Sequence, residues 1–570
     1  MKRNHKIEVS LSEILRKGTF TLVTTFGAGY LFGKENMMIA FVLVLGSTSL
    51  ATQDLRIRTL SKVLRLIFID LLIVGIAYIA SHSGGWAAVI NLITLFGIIY
   101  LNVSLYQQTA YKTLMMLYVF CQYSSVTLND LPNRMAMVVV TISLVMASVY
   151  REQNKKKTLL PTSIEKAFLL IYSQIELLRK GTFSKEISGK ITHEMNTLAD
   201  SILNSSFRRY FTTHIGKVYF HFYLDISYFN LLLEQISTPS AQALFEPSEL
   251  DALLELMNIV NEYFKRNIKR EEVIEAFEIY LSKHTQEEGV KEGLREVLFS
   301  LNKNFKALEE ISTKDRNKTY DNWTRSELGK LQYKARQYFN PKSMCFNFAA
   351  RLSITLTIGL LAAHYLGFYK FIWAIIPIMS ITQPYVEDTR TRKKDRFESN
   401  VVAALMLTAI INGLHIRWLT FLILILAFYF YYAYKDYYHA SLFLTVISMC
   451  LSTVGTGINT LFFYRMIYVI LGVTIVELSS RLVPYRLADG ISELVEEMEK
   501  LNWILEEESL KSLESKADFN RIREATVCSA ILSQKLSAKN KQYQSERIDY
   551  LIRTNTEFVI RLGYSLLRQN

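Results

Sequence analysis

Residues 371–405 read FIWAIIPIMSITQPYVEDTRTRKKDRFESNVVAAL, and the organisation of the chain follows from them. An apolar segment carrying Trp373 and Pro377 runs into a charged turn with Asp388, Arg390, Arg392, Lys393, Lys394 and Arg396. A second apolar segment follows at once. Residues 38–73, MIAFVLVLGSTSLATQDLRIRTLSKVLRLIFIDLLI, repeat the design with Asp54, Arg56, Arg58 and Lys62. The copies align without a gap at a constant offset of 334 residues. Lys17 falls on Arg351, Gly33 on Gly367, Ala40 on Ala374, and the four charged residues on Asp388, Arg390, Arg392 and Arg396. An internal repeat of this kind decides architecture before local detail does.

The chain has 570 residues, too many for one ordinary domain. Half of them are hydrophobic and 21% are charged, but the two kinds are segregated. Residues 17–151 and 351–481 are apolar, whereas 152–345 and 487–570 are charged and polar. This pattern implies an all-α integral membrane protein with two sizeable soluble parts. The net charge of +13 is accounted for by Arg and Lys in the loops of such a protein, where they orient the helices. No basic stripe interleaved with exposed aromatics speaks for a nucleic-acid partner. The four cysteines are scattered without a CxxC pair, so neither a zinc site nor a disulfide framework is expected.

Six spans are expected in each half, near 18–33, 37–51, 66–80, 86–104, 112–127 and 134–150, and again near 351–368, 370–384, 400–414, 418–434, 440–454 and 464–480. Several are shorter than the ~20 apolar residues that a crossing helix needs. Arg56, Arg58, Lys62 and Arg65 follow the second span, and Arg151, Lys155, Lys156 and Lys157 follow the sixth. By the positive-inside rule both ends of the first half are cytoplasmic. Six is even, so the second half enters from the same side and the repeats are parallel. The reading divides the chain into an interfacial N-terminal helix (1–16), a first six-helix transmembrane repeat (17–151), a cytoplasmic helical bundle (152–345), a second repeat (346–486) and cytoplasmic C-terminal helices (487–570). Within the bundle, Thr162 to Glu165 after Pro161 reads as a capping box. Further helices are expected near 186–206, 215–236, 248–266, 270–283, 286–311 and 323–339.

No enzyme, cofactor or metal site is legible. His193-Glu194-Met195 lacks the second histidine of a zinc protease, and His214 and His221 read as packed side chains. The basic turns are the sharper feature. They serve as topology signals on the simplest reading. The shared D-x-R-x-R spacing adds a second reading, in which Asp54 and Asp388 hold guanidinium forks that face a common axis. Arg56, Arg58, Lys62, Arg390, Arg392 and Arg396 would then form a positive mouth for organic anions, since the arginine fork matches a carboxylate. Asp70, His364 and Glu477 are the ionisable residues placed deepest in the spans and are candidates for proton coupling. Pro377, with Leu43 at the equivalent place, marks a helix break in the second repeat alone.

The run WAIIPIMSITQP at 373–384, a Thr- and Arg-rich turn, then Arg396 and the small pair Ser399-Asn400 resembles the signature of the fusaric acid resistance family. The family's usual glycine–threonine stands here as Ser399-Asn400, and Ile39 replaces Trp373 in the first repeat. The resemblance implies efflux of aromatic carboxylates driven by the proton-motive force, across the cell membrane, and a distant similarity to plant aluminium-activated malate transporters. The partners so implied are a small organic anion and the lipid bilayer. A homo-oligomer is compatible with the sequence. Two other readings stay open: a passive organic-anion channel, and a membrane scaffold whose bundle binds a partner.

Overall fold

The computed structural model describes residues 9–46, 59–106, 108–155, 161–205, 211–283, 289–311, 323–324, 326, 339–368, 370–414, 417–434, 436–452 and 457–567. All of its regular elements are helices. In chain order they are α1 Leu11–Phe32, α2 Met37–Leu45, α3 Thr59–His82, α4 Ala87–Asn102, α5 Lys112–Tyr123, α6 Leu131–Lys155, α7 Thr162–Arg179, α8 Lys185–Ser205, α9 His214–Ile236, α10 Pro239–Gln242 and α11 Pro247–Phe264. There follow α12 Arg270–Lys283, α13 Val290–Glu310, α14 Met344–Leu366, α15 Ile372–Ile381, α16 Val386–Leu414, α17 Arg417–Ala433, α18 Tyr437–Cys450, α19 Ile458–Leu482, α20 Leu487–Ser512, α21 Phe519–Tyr543 and α22 Glu546–Leu567.

The chain forms two compact units. One gathers the described residues of Met1–Thr52, Thr59–Arg151 and Gln337–Gly490; the other, those of Glu152–Arg336 and Ile491–Asn570. The first unit is a multi-pass membrane structure. Six of its helical segments are long and apolar enough to cross a bilayer: Thr59–His82, Gly84–Asn102, Leu131–Gln153, Met344–Leu366, Val386–Leu414 and Ile458–Leu482. Their faces divide cleanly. On α3, Leu60, Leu64, Phe68, Leu72 and Ile79 are exposed, while Asp70, Ile73, Val74 and Ala77 are buried at the i, i+3, i+4, i+7 spacing of a helix stripe. Large apolar side chains left outside a fold need an apolar surround, and lipid supplies it.

Four segments expected as spans are shorter than that role requires. α2, α5, α15 and α18 have 9, 12, 10 and 14 residues. At ~1.5 Å per residue none reaches the ~30 Å hydrocarbon thickness. They belong to the interior instead. Eight residues of α15 and six of α2 are buried, so their ends lie against protein. Such breaks are tolerated at membrane depth only where protein or a cavity surrounds the freed backbone groups.

The long helices pack crosswise between the halves of this unit. α1 lies on α17, with Phe26 against Phe428, Thr21 bonded to the Tyr432 hydroxyl at 2.7 Å, and Gly18 against the Tyr429 ring. Reciprocally, α14 lies on α4, with Phe346 edge-on to Phe96. A Cβ at Gly18 would stand 2.4 Å from Tyr429, so glycine permits this approach. α16 packs on α18 and α19, and α15 on α19.

The second unit is a helical bundle with α8, α9, α21 and α22 in mutual contact and α7, α11, α12 and α13 beside them. α7 starts at Thr162 with Pro161 as its N-cap, and no side chain caps it. The capping box expected at 162–165 is not formed, because Thr162 is already the first helical residue and the N-cap place is taken by the extended Pro161, whose side chain accepts no hydrogen bond. A reciprocal cap is formed at α11, where the Glu249 carboxylate accepts from the Glu246 amide at 2.8 Å. The helix expected at 323–339 falls mostly outside the described residues.

Candidate functional site

α16 carries one buried stripe, Thr389, Arg396, Ser399, Asn400, Ala403, Ala404 and Leu407, which is polar at its first half and apolar at its second. α19 presents Leu461, Arg465, Tyr468, Val469, Gly472 and Val476 on its buried side. Where these stripes meet α18 they enclose two guanidiniums. Arg396 and Arg465 are each 1% exposed. Arg396 donates from Nη1 to the Ser441 hydroxyl at 2.9 Å, and Ser441 shares a 2.6 Å bond with Ser399. Arg465 donates from Nε to Asn400 Oδ1 at 2.9 Å and from Nη2 to the Thr445 hydroxyl at 3.2 Å. Thr445 in turn donates to Asn400 Oδ1 at 2.9 Å, and the Asn400 amide donates to the Arg396 carbonyl at 2.6 Å. The Arg465 guanidinium also lies over the Trp373 ring at 5.2 Å, an arrangement that the ring's quadrupole favours.

The charge in this cluster is unbalanced. No described carboxylate pairs with either arginine; the titratable neighbours of Arg396 are Tyr437 and Tyr431, and the two guanidiniums repel each other. Arg396 Nε and Nη2 and Arg465 Nη1 are buried without an acceptor. An arginine cannot shed its proton to escape such a place. A buried cation keeps its full desolvation cost unless an anion and further acceptors reach it. The geometry therefore suits a carboxylate, which brings both.

Pro377 and Gly472 set the distance between α15 and α19. A Cβ at Gly472 would lie 2.6 Å from the Ala374 carbonyl and 3.0 Å from Pro377 Cβ. Proline has no amide to offer the Trp373 carbonyl one turn back, yet α15 runs unbroken from Ile372 to Ile381 through Pro377, so the helix break expected there is not formed: one missing bond is tolerated in a helix buried on most sides. Past the C-terminal end of α15, Arg351 holds the Gln383-Pro384 turn by donating to the Gln383 and Pro384 carbonyls, the latter at 3.0 Å, and reaches Val483 at 3.4 Å. It is a tie between backbone segments.

A second basic feature lies toward the N-terminus of α16. Arg390, Lys393, Arg481 and Arg486 line a cavity of about 210 Å³ together with Glu477 and Ser480. Glu477 accepts from Lys393 at 2.6 Å and from Arg481 at 2.9 Å. It is a partly exposed ion-paired group. Four bases thus face one carboxylate, and Asn400 begins about 10 Å further along α16 than Lys393, seven residues at ~1.5 Å each.

The sequence-derived residues are therefore dispersed. Arg390 is exposed, Arg392 is half-buried with its guanidinium over the Tyr437 ring at 4.8 Å, and Arg396 belongs to the interior. Asp388 and Lys62 are half-buried; Asp54, Arg56 and Arg58 lie outside the described residues. His364 is exposed near the end of α14 against Tyr365. Asp70 is 2% exposed at the middle of α3, and its Oδ1 has no partner. Sequence reasoning missed Arg465 altogether. Its signal was an arginine seven residues into a 25-residue apolar helix, a costly place without a function. Arg134, near the start of α6, is likewise 2% exposed and donates to Asn36 Oδ1 at 2.8 Å and the Cys121 carbonyl at 3.1 Å. Among the described residues no His, Cys, Asp and Glu group is arranged to hold a metal ion.

No curated protein and no solved structure matches the chain. One family model does, over residues 357–478. That segment holds Trp373, Pro377, Arg396, Asn400, Ser441, Thr445 and Arg465, the whole arginine cluster. By this match residues 357–478 are similar to the fusaric acid resistance protein-like family.

Proposed function

We propose that the protein is a cell-membrane exporter of organic anions, aromatic carboxylates foremost, coupled to the proton-motive force. The observation that carries this reading is the pair Arg396 and Arg465: two buried guanidiniums in one polar cluster, without a described carboxylate, and with three nitrogens lacking an acceptor. A monocarboxylate bound there would neutralise charge and accept the free N–H groups, and Trp373 offers an aromatic face for its ring. The family name carries fusaric acid, itself an aromatic carboxylate, which agrees with that chemistry.

The halves are read as parallel repeats, with both termini, the helical bundle and the C-terminal helices cytoplasmic. The reciprocal packing of α1 on α17 and α14 on α4 supports a twofold relation. The anion would be gathered by Arg390, Lys393, Arg481 and Arg486 and passed inward along α16 to Arg396 and Arg465. Asp70, a buried carboxylate with an unpartnered oxygen, is the group read as carrying the proton. No chemical transformation of the substrate is involved.

The test is uptake of radiolabelled 4-hydroxybenzoate into proteoliposomes under an imposed proton gradient. Gradient-dependent accumulation that is lost in Arg465→Met supports the proposal. A steady single-channel current from purified protein in planar bilayers, with no response to ΔpH, would favour the channel. Neither activity with any aromatic carboxylate would leave the scaffold.

A further inference from the structure

The helical bundle carries a half-open cavity of about 550 Å³ lined by α8, α9, α21 and α22. That volume lies in the range of sites for small organic ligands. Its floor is polar. Asn196, Asn230 and Ser533 line it and are 8%, 5% and 3% exposed. The Asn230 amide donates to the Ser188 carbonyl and the Thr192 hydroxyl at 3.3 and 3.4 Å, but its Oδ1 has no partner. The Ser533 hydroxyl also has none. A helical serine ordinarily satisfies its hydroxyl on a preceding carbonyl, so this one is spared for something else.

The walls and rim define the ligand further. Leu231 and Ile552 supply apolar contact. The acids at the rim are engaged: Glu234 by Arg553, Glu557 by Arg561 at 2.9 Å, and Asp549 by the Asn540 amide at 2.6 Å. Lys535 faces Asp200 and Lys539. Lys185 and Lys541 also line the cavity, and no described carboxylate pairs with them. The charge left over is positive.

Gly189 adds an independent sign. It lies within α8 and lines the cavity, and a Cβ built on it meets nothing within 4 Å. Glycine within a helix costs stability relative to alanine. Here no close packing explains it. A larger side chain there would enter the open space at the cavity.

We infer that this cavity binds a small amphipathic organic anion, with its carboxylate or phosphate at Lys185 and Lys541, its ring against Leu231 and Ile552, and a polar substituent on Asn230 and Ser533. The site is separate from the transport residues and gives the bundle a ligand-sensing role. Its failure and that of the export proposal are distinguishable, because each has its own variants.

The experiment is isothermal titration of the full-length protein in detergent with 4-hydroxybenzoate and with AMP, which separate a carboxylate from a phosphate source. 4-Hydroxybenzyl alcohol is the uncharged control. In the Arg465→Met background, which removes the proposed transport site, at least one anion is still expected to bind. In that background Gly189→Leu, which fills the cavity while raising helix propensity, should abolish binding. Lys185→Ala with Lys541→Ala should weaken it roughly tenfold, in keeping with lost charge-assisted bonds. Asn230→Asp, which sets a negative charge in the floor, provides a second test where the leucine variant does not fold. Absence of binding by both anions at millimolar concentration overturns the inference. So does binding that is indifferent to Gly189→Leu and Asn230→Asp, or equal affinity for the uncharged alcohol.

Discussion

Arg465→Met separates a functional arginine from a structural one, because the two predict opposite changes in stability. The side chain makes two hydrogen bonds, to Asn400 and Thr445, and covers Trp373. Removing them forfeits roughly 1.5–3 kcal/mol for each bond to a charged group and about 1 kcal/mol for the cation–π contact. Neither partner is orphaned, since Thr445 still donates to Asn400 at 2.9 Å. Against this stands the desolvation of a fully buried, unpaired cation, several kcal/mol after relaxation, which methionine of similar length does not incur. The gains and losses nearly cancel, and the net lies between neutral and roughly 2 kcal/mol in favour of the variant. The apparent melting temperature in detergent should therefore hold or rise by about 2–4 °C for each kcal/mol gained. Transport of 4-hydroxybenzoate should fall about 100-fold or more, since a carboxylate loses charge-assisted bonds worth about 3 kcal/mol. A variant that melts markedly lower yet transports normally would refute the reasoning and make Arg465 a strut of the fold.

Other expectations follow from the same geometry. Arg390→Ala with Arg481→Ala should raise the half-saturating substrate concentration several-fold at low salt. The difference should shrink at high ionic strength, where charges at a solvent-facing mouth are screened; a salt-independent defect would argue against a collecting role. Gly472→Val drives a side chain toward the Ala374 carbonyl and should cost about 1–3 kcal/mol, seen as a lower melting temperature and poorer membrane yield. His221, in the bundle, is pushed down to about 3 by burial and by Lys217, Arg523 and Lys303, so it is neutral when folded. The unfolded chain therefore binds more protons below the ordinary histidine range, and stability falls as pH drops from about 6.5, by up to ~1.4 kcal/mol per unit for this one group. His221→Gln should flatten the acid limb of a thermal-melt pH series.

Six of the twelve expected spans were legible, because lipid imposes a length and an apolarity that composition reveals directly. The helices of the second and fifth positions were not read correctly as to length. Apolarity alone does not distinguish a helix facing lipid from one packed inside protein, and α15 is apolar on every side for the second reason. At the site, Arg396 was visible from its motif, yet it was grouped with Arg390 and Arg392. Three arginines within seven residues of a helix point in different directions, and only burial separates the interior one from its neighbours. Glu477 and Asp70 looked alike as acids within spans. The first is half-exposed and held by Lys393 and Arg481, and the second is buried with an oxygen unpartnered. What distinguishes them is packing from other parts of the chain, which a window of sequence does not contain.

Asp70 and the arginine cluster together bear on whether a proton is needed at all. Asp70 aligns with Ala404 at the repeat offset, so the acid stands in one half and the buried pair Arg396–Arg465 in the other. A buried carboxylate can neutralise itself by taking a proton, whereas a buried arginine must be met by an anion. Asp70 and the Arg396–Arg465 pair are thus relieved by the two species a proton-coupled exporter moves, a proton and an anion. Anion export, however, does not of itself require coupling. A membrane potential of about 100 mV, negative inside, is worth ~2.3 kcal/mol per charge and alone sustains roughly a 50-fold gradient of a monovalent anion. A passive channel can reach that limit but not exceed it. In inside-out vesicles with ΔpH and potential imposed separately, the wild-type protein should build a gradient beyond the limit when ΔpH is added. Asp70→Asn should fall back to the limit set by potential, not to zero, and should retain substrate exchange at equilibrium. If the wild-type gradient never exceeds the electrical limit, or if Asp70→Asn exceeds it as the wild type does, Asp70 carries no coupled proton and the channel reading prevails.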